Sequence, residues 1–134
     1  MNDLFYTRWE DDIANGLDEE EDFMQMLMEG GCWVFILDKQ LSAENAQELR
    51  GLFEEARARG GGPFVVDMSH LQYIDSSGLG ALVYLLRHSS GGARLCCVSP
   101  KIQKMLELAR LDQFFSIYPS REEAIEGVQW PPIW

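Results

Sequence analysis

Two adjacent hydroxyl groups follow a carboxylate in the segment Asp75-Ser76-Ser77-Gly78-Leu79-Gly80, which we call the serine segment. A serine hydroxyl can act as a nucleophile, accept a phosphoryl group from a kinase, or cap a following helix. The two glycines cost about 1 kcal/mol each in a helix relative to alanine. They therefore indicate close packing onto a sheet or the close approach of a partner's backbone, and the spacing leaves these alternatives open.

Catalysis by either serine is poorly supported. A nucleophilic serine needs a base that a third group holds in place, and the histidines of the chain are His70 and His88. His70, just before the serine segment, fits loop packing better than a ligand or a base. The sequence has no glycine-serine-glycine elbow, no Walker-type phosphate loop and no metal-ligand spacing. We expect a protein that is not an enzyme and that needs no cofactor or metal.

The cysteines and the chain start indicate the compartment. Cys96 and Cys97 are neighbours that would point to opposite faces of a strand, and Cys32 is far from both in sequence, so no disulfide framework is predicted. The start of the chain lacks the basic and apolar stretches of a secretory signal. Throughout the chain, the apolar runs are shorter than the ~18 residues that a membrane-spanning helix needs. These features predict a cytoplasmic protein with no direct membrane insertion.

The charge is strongly acidic and uneven. The 134 residues include 11 Lys+Arg and 22 Asp+Glu, so the formal net charge is −11, which argues against nucleic acid and anionic lipid as partners. Residues 1–22 contain nine acids and one base, or −8, which leaves −3 for the rest. We expect residues 1–22 to be an acidic arm, either disordered or a docking helix. Residues 23–128 then form the single domain, and residues 129–134 form a tail.

Strands alternate with helices after a predicted hairpin around Glu29-Gly30-Gly31. The later predicted elements are a helix capped by Ser42 and ending near Arg59, a strand at 64–68, a helix after the serines, a strand at 94–98, a helix after Ser99-Pro100, a strand at 114–118 and a helix opened by the capping box at 120–123. Such alternation predicts an α/β domain with a largely parallel sheet. Functional groups in these folds favour strand ends and the starts of the helices that follow, where the serine segment lies.

The sequence resembles the STAS domain family (sulfate transporter and anti-sigma factor antagonist). The resemblance rests on Tyr73-Ile74 with the serine segment, and on the preceding Val65-Val66-Asp67-Met68-Ser69. Upstream, Leu41-Ser42-Ala43-Glu44-Asn45-Ala46 matches the family's Leu-Asp-x-x-Thr-Ala, and stretches 92–100 and 108–112 also fit. It covers roughly residues 23–128 and is closest to the stand-alone anti-sigma factor antagonists. The resemblance implies the STAS fold, a mostly parallel small sheet with a β-hairpin start and about four helices.

The resemblance also implies a partner-switching function. In the family, the unphosphorylated antagonist binds an anti-sigma factor that is also a serine kinase of the histidine-kinase-like ATPase type, which frees the sigma factor for transcription. The kinase phosphorylates the serine directly after the motif's aspartate, here Ser76 with Ser77 as the alternative, and a metal-dependent serine phosphatase reverses the reaction. The implied partner-binding residues are Asp75, Ser76, Ser77, Gly78, Leu79, Gly80 and Ser42, and the expected state is a monomer or a weak dimer.

Two positions depart from the family's pattern. The acidic residue after the first conserved leucine is Ser42 here, and the glycine two positions before that leucine is Lys39. An alternative function therefore remains open, as an accessory subunit of a lipid-transport ATPase or a scaffold in a stress-sensing complex. The serine segment would then dock a protein without obligatory phosphorylation.

Overall fold

A six-stranded sheet forms the centre of the protein in the computed structural model, which describes residues 4–6, 24–89 and 92–127. The strands are β1 (Leu4–Tyr6), β2 (Gln25–Glu29), β3 (Cys32–Ile36), β4 (Gln40–Leu41), β5 (Phe64–Asp67), β6 (Tyr73–Ile74), β7 (Ala93–Cys96) and β8 (Ser116–Tyr118). The main sheet has the order β1-β2-β3-β5-β7-β8. Its first three strands pair antiparallel, and β3, β5, β7 and β8 pair parallel. The separate pair of β4 and β6 is parallel.

Four helices occur in the described residues: α1 (Ala46–Ala58), α2 (Ser76–His88), α3 (Pro100–Leu108) and α4 (Arg121–Glu126). The larger core lies between one face of the sheet and the first three helices, and it includes Phe35, Phe53, Val66, Leu82 and Ile102. Alternate strand residues, such as Val34, Val65 and Cys96, face the other side with Ala124 of α4. No helix in the described part of the chain is long and apolar enough to cross a bilayer.

The predicted hairpin is confirmed at residue level. Glu29 pairs with Cys32, which leaves Gly30 and Gly31 as a two-residue turn. Their φ angles are +60° and +83°, values that suit the turns joining twisted antiparallel strands and that glycine adopts without a steric penalty. The predicted fold class, a mostly parallel sheet with a hairpin start and four helices, is likewise confirmed.

The start of α1 differs from the prediction. The helix begins at Ala46, because residues 42–45 form a turn in which the Ser42 carbonyl accepts hydrogen bonds from Asn45 N and Ala46 N at 3.0 and 2.8 Å. The Ser42 hydroxyl accepts from Glu44 N at 3.3 Å within this turn, so Ser42 does not cap α1.

The ends of the chain are described only in part. Leu4–Tyr6, within the predicted acidic arm, pair with β2 along one edge of the sheet. The rest of residues 1–22 and the tail of residues 129–134 lie outside the described residues, so the predictions for them stay predictions.

Candidate functional site

Asp75 fixes the start of α2. It is the N-cap residue, and its Oδ1 accepts a hydrogen bond from Gly78 N at 3.0 Å. Its Oδ2 accepts from Ala43 N at 3.3 Å, which ties the helix start to the turn before α1. The alternative that Ser76 or Ser77 merely caps the helix is wrong, because the residue before them performs that role.

Ser76 is the first residue of α2 and is exposed to solvent, whereas Ser77 and Leu79 are half-buried. The first amides of a helix have no partner within the helix, and its dipole favours negative charge at this end. An anionic group attached to Ser76 would therefore lie in favourable electrostatic surroundings. Nothing in the described structure covers this serine against an approaching nucleotide.

The two glycines of the serine segment have different surroundings. A Cβ built on Gly78 would lie 2.2 Å from the carbonyl oxygen of Leu41, so the helix packs directly on the backbone of β4. The same carbonyl accepts a hydrogen bond from Asp75 N at 3.3 Å. A Cβ on Gly80 would meet only Arg50 Nη2, at an ordinary 3.6 Å. Internal packing thus explains Gly78, and it does not require a glycine at position 80.

The loop of residues 38–45 is hydrogen-bonded to the first residue of the serine segment. Asn45 holds its shape, since Oδ1 accepts from Ser42 N at 2.9 Å and Nδ2 donates to Gln40 O at 2.9 Å. The Lys39 carbonyl accepts from Gln72 N and Tyr73 N at 2.7 and 3.2 Å. Ser42 is only 6% exposed, so its own side chain offers a partner little surface.

Tyr73 is a surface residue that was not among the predicted partner-binding residues. It is 49% exposed, while its neighbour Ile74 on β6 is fully buried. Strand alternation directs the two side chains to opposite faces, so the tyrosine ring lies at the surface two residues before Asp75. A two-residue strand has too short a pattern to reveal this orientation in advance.

The family model of the STAS domain matches residues 24–124, which include the serine segment and the loop that supports it. The chain belongs to the STAS domain family. A Thermotoga maritima protein that bears the name of an anti-sigma factor antagonist is 33% identical over 100 residues, which are 72% of this chain and 88% of the relative. The resemblance found in the sequence is therefore confirmed.

Two solved structures share the fold of this STAS domain. The anti-sigma factor antagonist SpoIIAA in its unphosphorylated form superposes with a TM-score of 0.68 at 23% identity, over 79% of this chain and 96% of that one. The Bacillus cell fate determinant SpoIIAA in its phosphorylated form gives a TM-score of 0.62 at 24% identity, over 78% and 98%. At these identities the likeness establishes the fold.

A second polar cluster of the STAS domain lies where β5 and β7 end. Cys97 has a φ of +63°, and the ligand atoms of Asp67, Cys96 and Cys97 lie within 4.8 Å of one another. The prediction that the two thiols point to opposite faces is wrong, because the left-handed backbone at Cys97 ends the strand alternation. Burial raises the pKa of both thiols, and Arg121 Nε donates to Asp67 Oδ2 at 3.0 Å. A guanidinium beside the cluster disfavours a bound cation.

Asp67 links α4 to the sheet. It is 3% exposed, its Oδ1 accepts from Ser69 N at 2.9 Å, and the Arg121 that it binds also donates to Glu29 at 2.9 Å. Burial by itself would raise the pKa of Asp67, but the hydrogen bonds from Ser69 and Arg121 outweigh it, so the pKa lies below its usual range. No sequence pattern indicates this pair, because its members lie 54 positions apart.

Proposed function

We propose that this STAS domain is an anti-sigma factor antagonist whose binding to an anti-sigma factor is controlled by phosphorylation of Ser76. The observation that carries the proposal is the exposure of Ser76 at the first position of α2, directly after the capping Asp75. The name of the Thermotoga maritima relative supports the class of function. SpoIIAA, which shares the fold, has been solved with and without phosphate.

The local structure can accept a phosphate without unfolding. A phosphoserine carries about −1.5 to −2 charge, which the helix N-terminus favours. The neighbouring Asp75 carboxylate already accepts two backbone hydrogen bonds, from Gly78 and Ala43, so its place is fixed before the modification. The fold is therefore expected to persist, and the effect of phosphate falls on whatever binds the surface.

A phosphate on Ser76 would act on binding by charge. A partner that covers the serine segment would have to desolvate a dianion next to the Asp75 carboxylate. Each 1.4 kcal/mol of that penalty weakens binding tenfold. A cost of a few kcal/mol at one residue is therefore enough to exchange partners, with no catalysis by the STAS domain itself.

The proposed partner is an anti-sigma factor that is also a serine kinase, and a serine phosphatase resets the switch in the cytoplasm. Within the proposed surface, Ser76 and Tyr73 are exposed, and Ser77 and Leu79 are partly accessible. Gly78 is buried and contributes through packing. A Cβ at Gly80 would make only an ordinary contact with Arg50 Nη2, so internal packing does not require this glycine, and we assign it to the close approach of the partner's backbone.

Locating the phosphorylated residue tests whether Ser76 is the phosphate acceptor. The purified protein, Ser76→Ala and Ser77→Ala are incubated with the cognate kinase and ATP, and the phosphopeptides are located by mass spectrometry. We expect one phosphate on the wild type and on Ser77→Ala, and none on Ser76→Ala. Wild-type phosphorylation of Ser76→Ala together with none on Ser77→Ala would move the acceptor to Ser77. A membrane ATPase recovered from the native cell, with no kinase, would favour the accessory-subunit alternative.

A further inference from the structure

Helices α1 and α2 lie side by side and run in the same direction. The contacts between them advance together along both helices: Arg50 lies beside Gly80, and the Tyr84 hydroxyl donates a hydrogen bond to Glu54. Just before the two helices, Ala43 N donates to Asp75. The beginning of α1 is therefore level with the beginning of α2. A long side chain on the first turns of α1 can reach the surface around Ser76.

Arg50 reaches from α1 across to α2. Its guanidinium lies over the Tyr84 ring at 5.6 Å from the ring centre, and Nη1 donates to Gln47 Oε1 at 2.7 Å. The guanidinium therefore lies beside residues 80 and 84 of α2, and releasing its hydrogen bond to Gln47 would free it to reach Ser76 one turn away. Among the described residues Arg50 forms no ion pair with a carboxylate, and its contacts are to uncharged groups.

Gly80 leaves space between Arg50 and Ser76. Residues 76, 80 and 84 share one face of α2, because residues four apart lie one above the other at about 6 Å. Tyr84 and the Gly80 position both contact the Arg50 guanidinium, so Ser76 is the next residue along the same face. A side chain at position 80 would fill that space, and the glycine does not.

We propose that Arg50 binds the phosphoryl group of phosphorylated Ser76, exchanging its hydrogen bond to Gln47 for bonds to phosphate oxygens. The planar guanidinium with its several N–H donors matches phosphate geometry. The contact holds the modified side chain against α1. This inference rests on the proposed function, since it concerns the phosphorylated state of the same serine.

The test uses full-length protein with phosphoserine incorporated at position 76 by genetic code expansion, so that no kinase is needed. The second ionisation of the phosphate is followed by ³¹P NMR in the parent protein and in the Arg50→Gln, Arg50→Lys and Arg57→Gln variants. Arg57 is the matched control, because it lies further along α1 and pairs with Glu54. The Asp75 carboxylate, which lies next to the phosphate, also affects its ionisation, and it is the same in every variant.

A nearby cation favours the dianion, so we expect Arg50→Gln to raise the ionisation midpoint by about 0.5 pH unit. Arg50→Lys should raise it less, and Arg57→Gln should leave it unchanged. Equal midpoints in the parent and Arg50→Gln would overturn the proposal, as would an equal rise in Arg57→Gln. The proposed function fails by a separate result, the absence of Ser76 phosphorylation by the kinase, whatever the midpoints are.

Discussion

At the scale of single residues, the Asp75 carboxylate joins two parts of the candidate site. One oxygen caps α2 and the other holds the turn before α1. The serine that follows is thereby set at a fixed place on the surface while remaining exposed. Replacing Asp75 is therefore expected to change both the stability of the fold and the binding of a partner. A variant at another helix N-cap, away from the site, distinguishes the loss of stability from the loss of binding.

Replacing Asp75 with alanine should lower the free energy of unfolding by about 1 kcal/mol, because the N-cap hydrogen bond is lost. Ser99→Ala is the control, since Ser99 caps α3 in the same way through a hydrogen bond from Ile102 N at 3.2 Å. Urea denaturation should show similar losses in both variants. Binding of the anti-sigma factor should weaken only in Asp75→Ala, and equal weakening in both would contradict a local role for Asp75.

The two glycines should respond oppositely to alanine. Gly78→Ala places a methyl group against the Leu41 carbonyl, which the backbone can relieve only by moving, so we expect a loss of about 1–3 kcal/mol. Gly80→Ala meets no close atom and should raise stability by up to about 1 kcal/mol through helix propensity. Urea denaturation measures both changes. Destabilisation of similar size in the two variants would refute the packing described for α2.

At the scale of elements, α4 is attached to the sheet partly by the ion pair between Arg121 and Asp67. Arg121→Met removes the partner of the buried Asp67 carboxylate, so the free energy of unfolding should fall by about 1–3 kcal/mol. Arg59→Met, which breaks an exposed pair with Glu55, should cost at most about 1 kcal/mol. Chemical denaturation compares the two variants. An equal and small loss in both would show that the Asp67 pair contributes no more than a surface pair.

The predictability of each element from the sequence depended on its length. The hairpin, the parallel strands and the four helices carry patterns long enough to read, and all of them are present, although the N-cap of α1 is Asn45 instead of Ser42 and β7 ends two residues earlier than predicted. β4 and β6 contain two residues each, and the contact of Gly78 with Leu41 that they create joins distant positions. The left-handed backbone at Cys97 is set by tertiary structure, which is why its side-chain direction was predicted wrongly.

The candidate site was predictable in its chemistry and less so in its geometry. The serine segment itself could be found from residue types and from the family resemblance. Capping by Ser76 or Ser77 stayed an open alternative because Ser, Thr and Asp all suit that position, and local sequence does not choose between neighbours. Arg50 went unnoticed because its proximity to α2 depends on how two helices pack.

At the scale of the whole molecule, stability should depend on pH through Asp67. Its pKa is lowered in the folded state, so it contributes stability above the unfolded pKa of about 3.9, and this contribution is lost as the pH falls through the lower folded pKa. Urea unfolding measured from pH 7 to about pH 2.5 should show a decline that Asp67→Asn makes shallower. An unchanged slope in the variant would exclude Asp67 as a source of the decline.

The proposed control by Ser76 acts on the binding of the whole molecule to its partner, and isothermal titration calorimetry with the cognate anti-sigma factor measures that binding. The unmodified protein and the protein carrying phosphoserine at position 76 are titrated under the same conditions, with circular dichroism showing that both are folded. We expect the modification to weaken binding at least tenfold, since a penalty of 1.4 kcal/mol suffices for that change. Equal dissociation constants for the two forms would show that phosphorylation of Ser76 does not control binding.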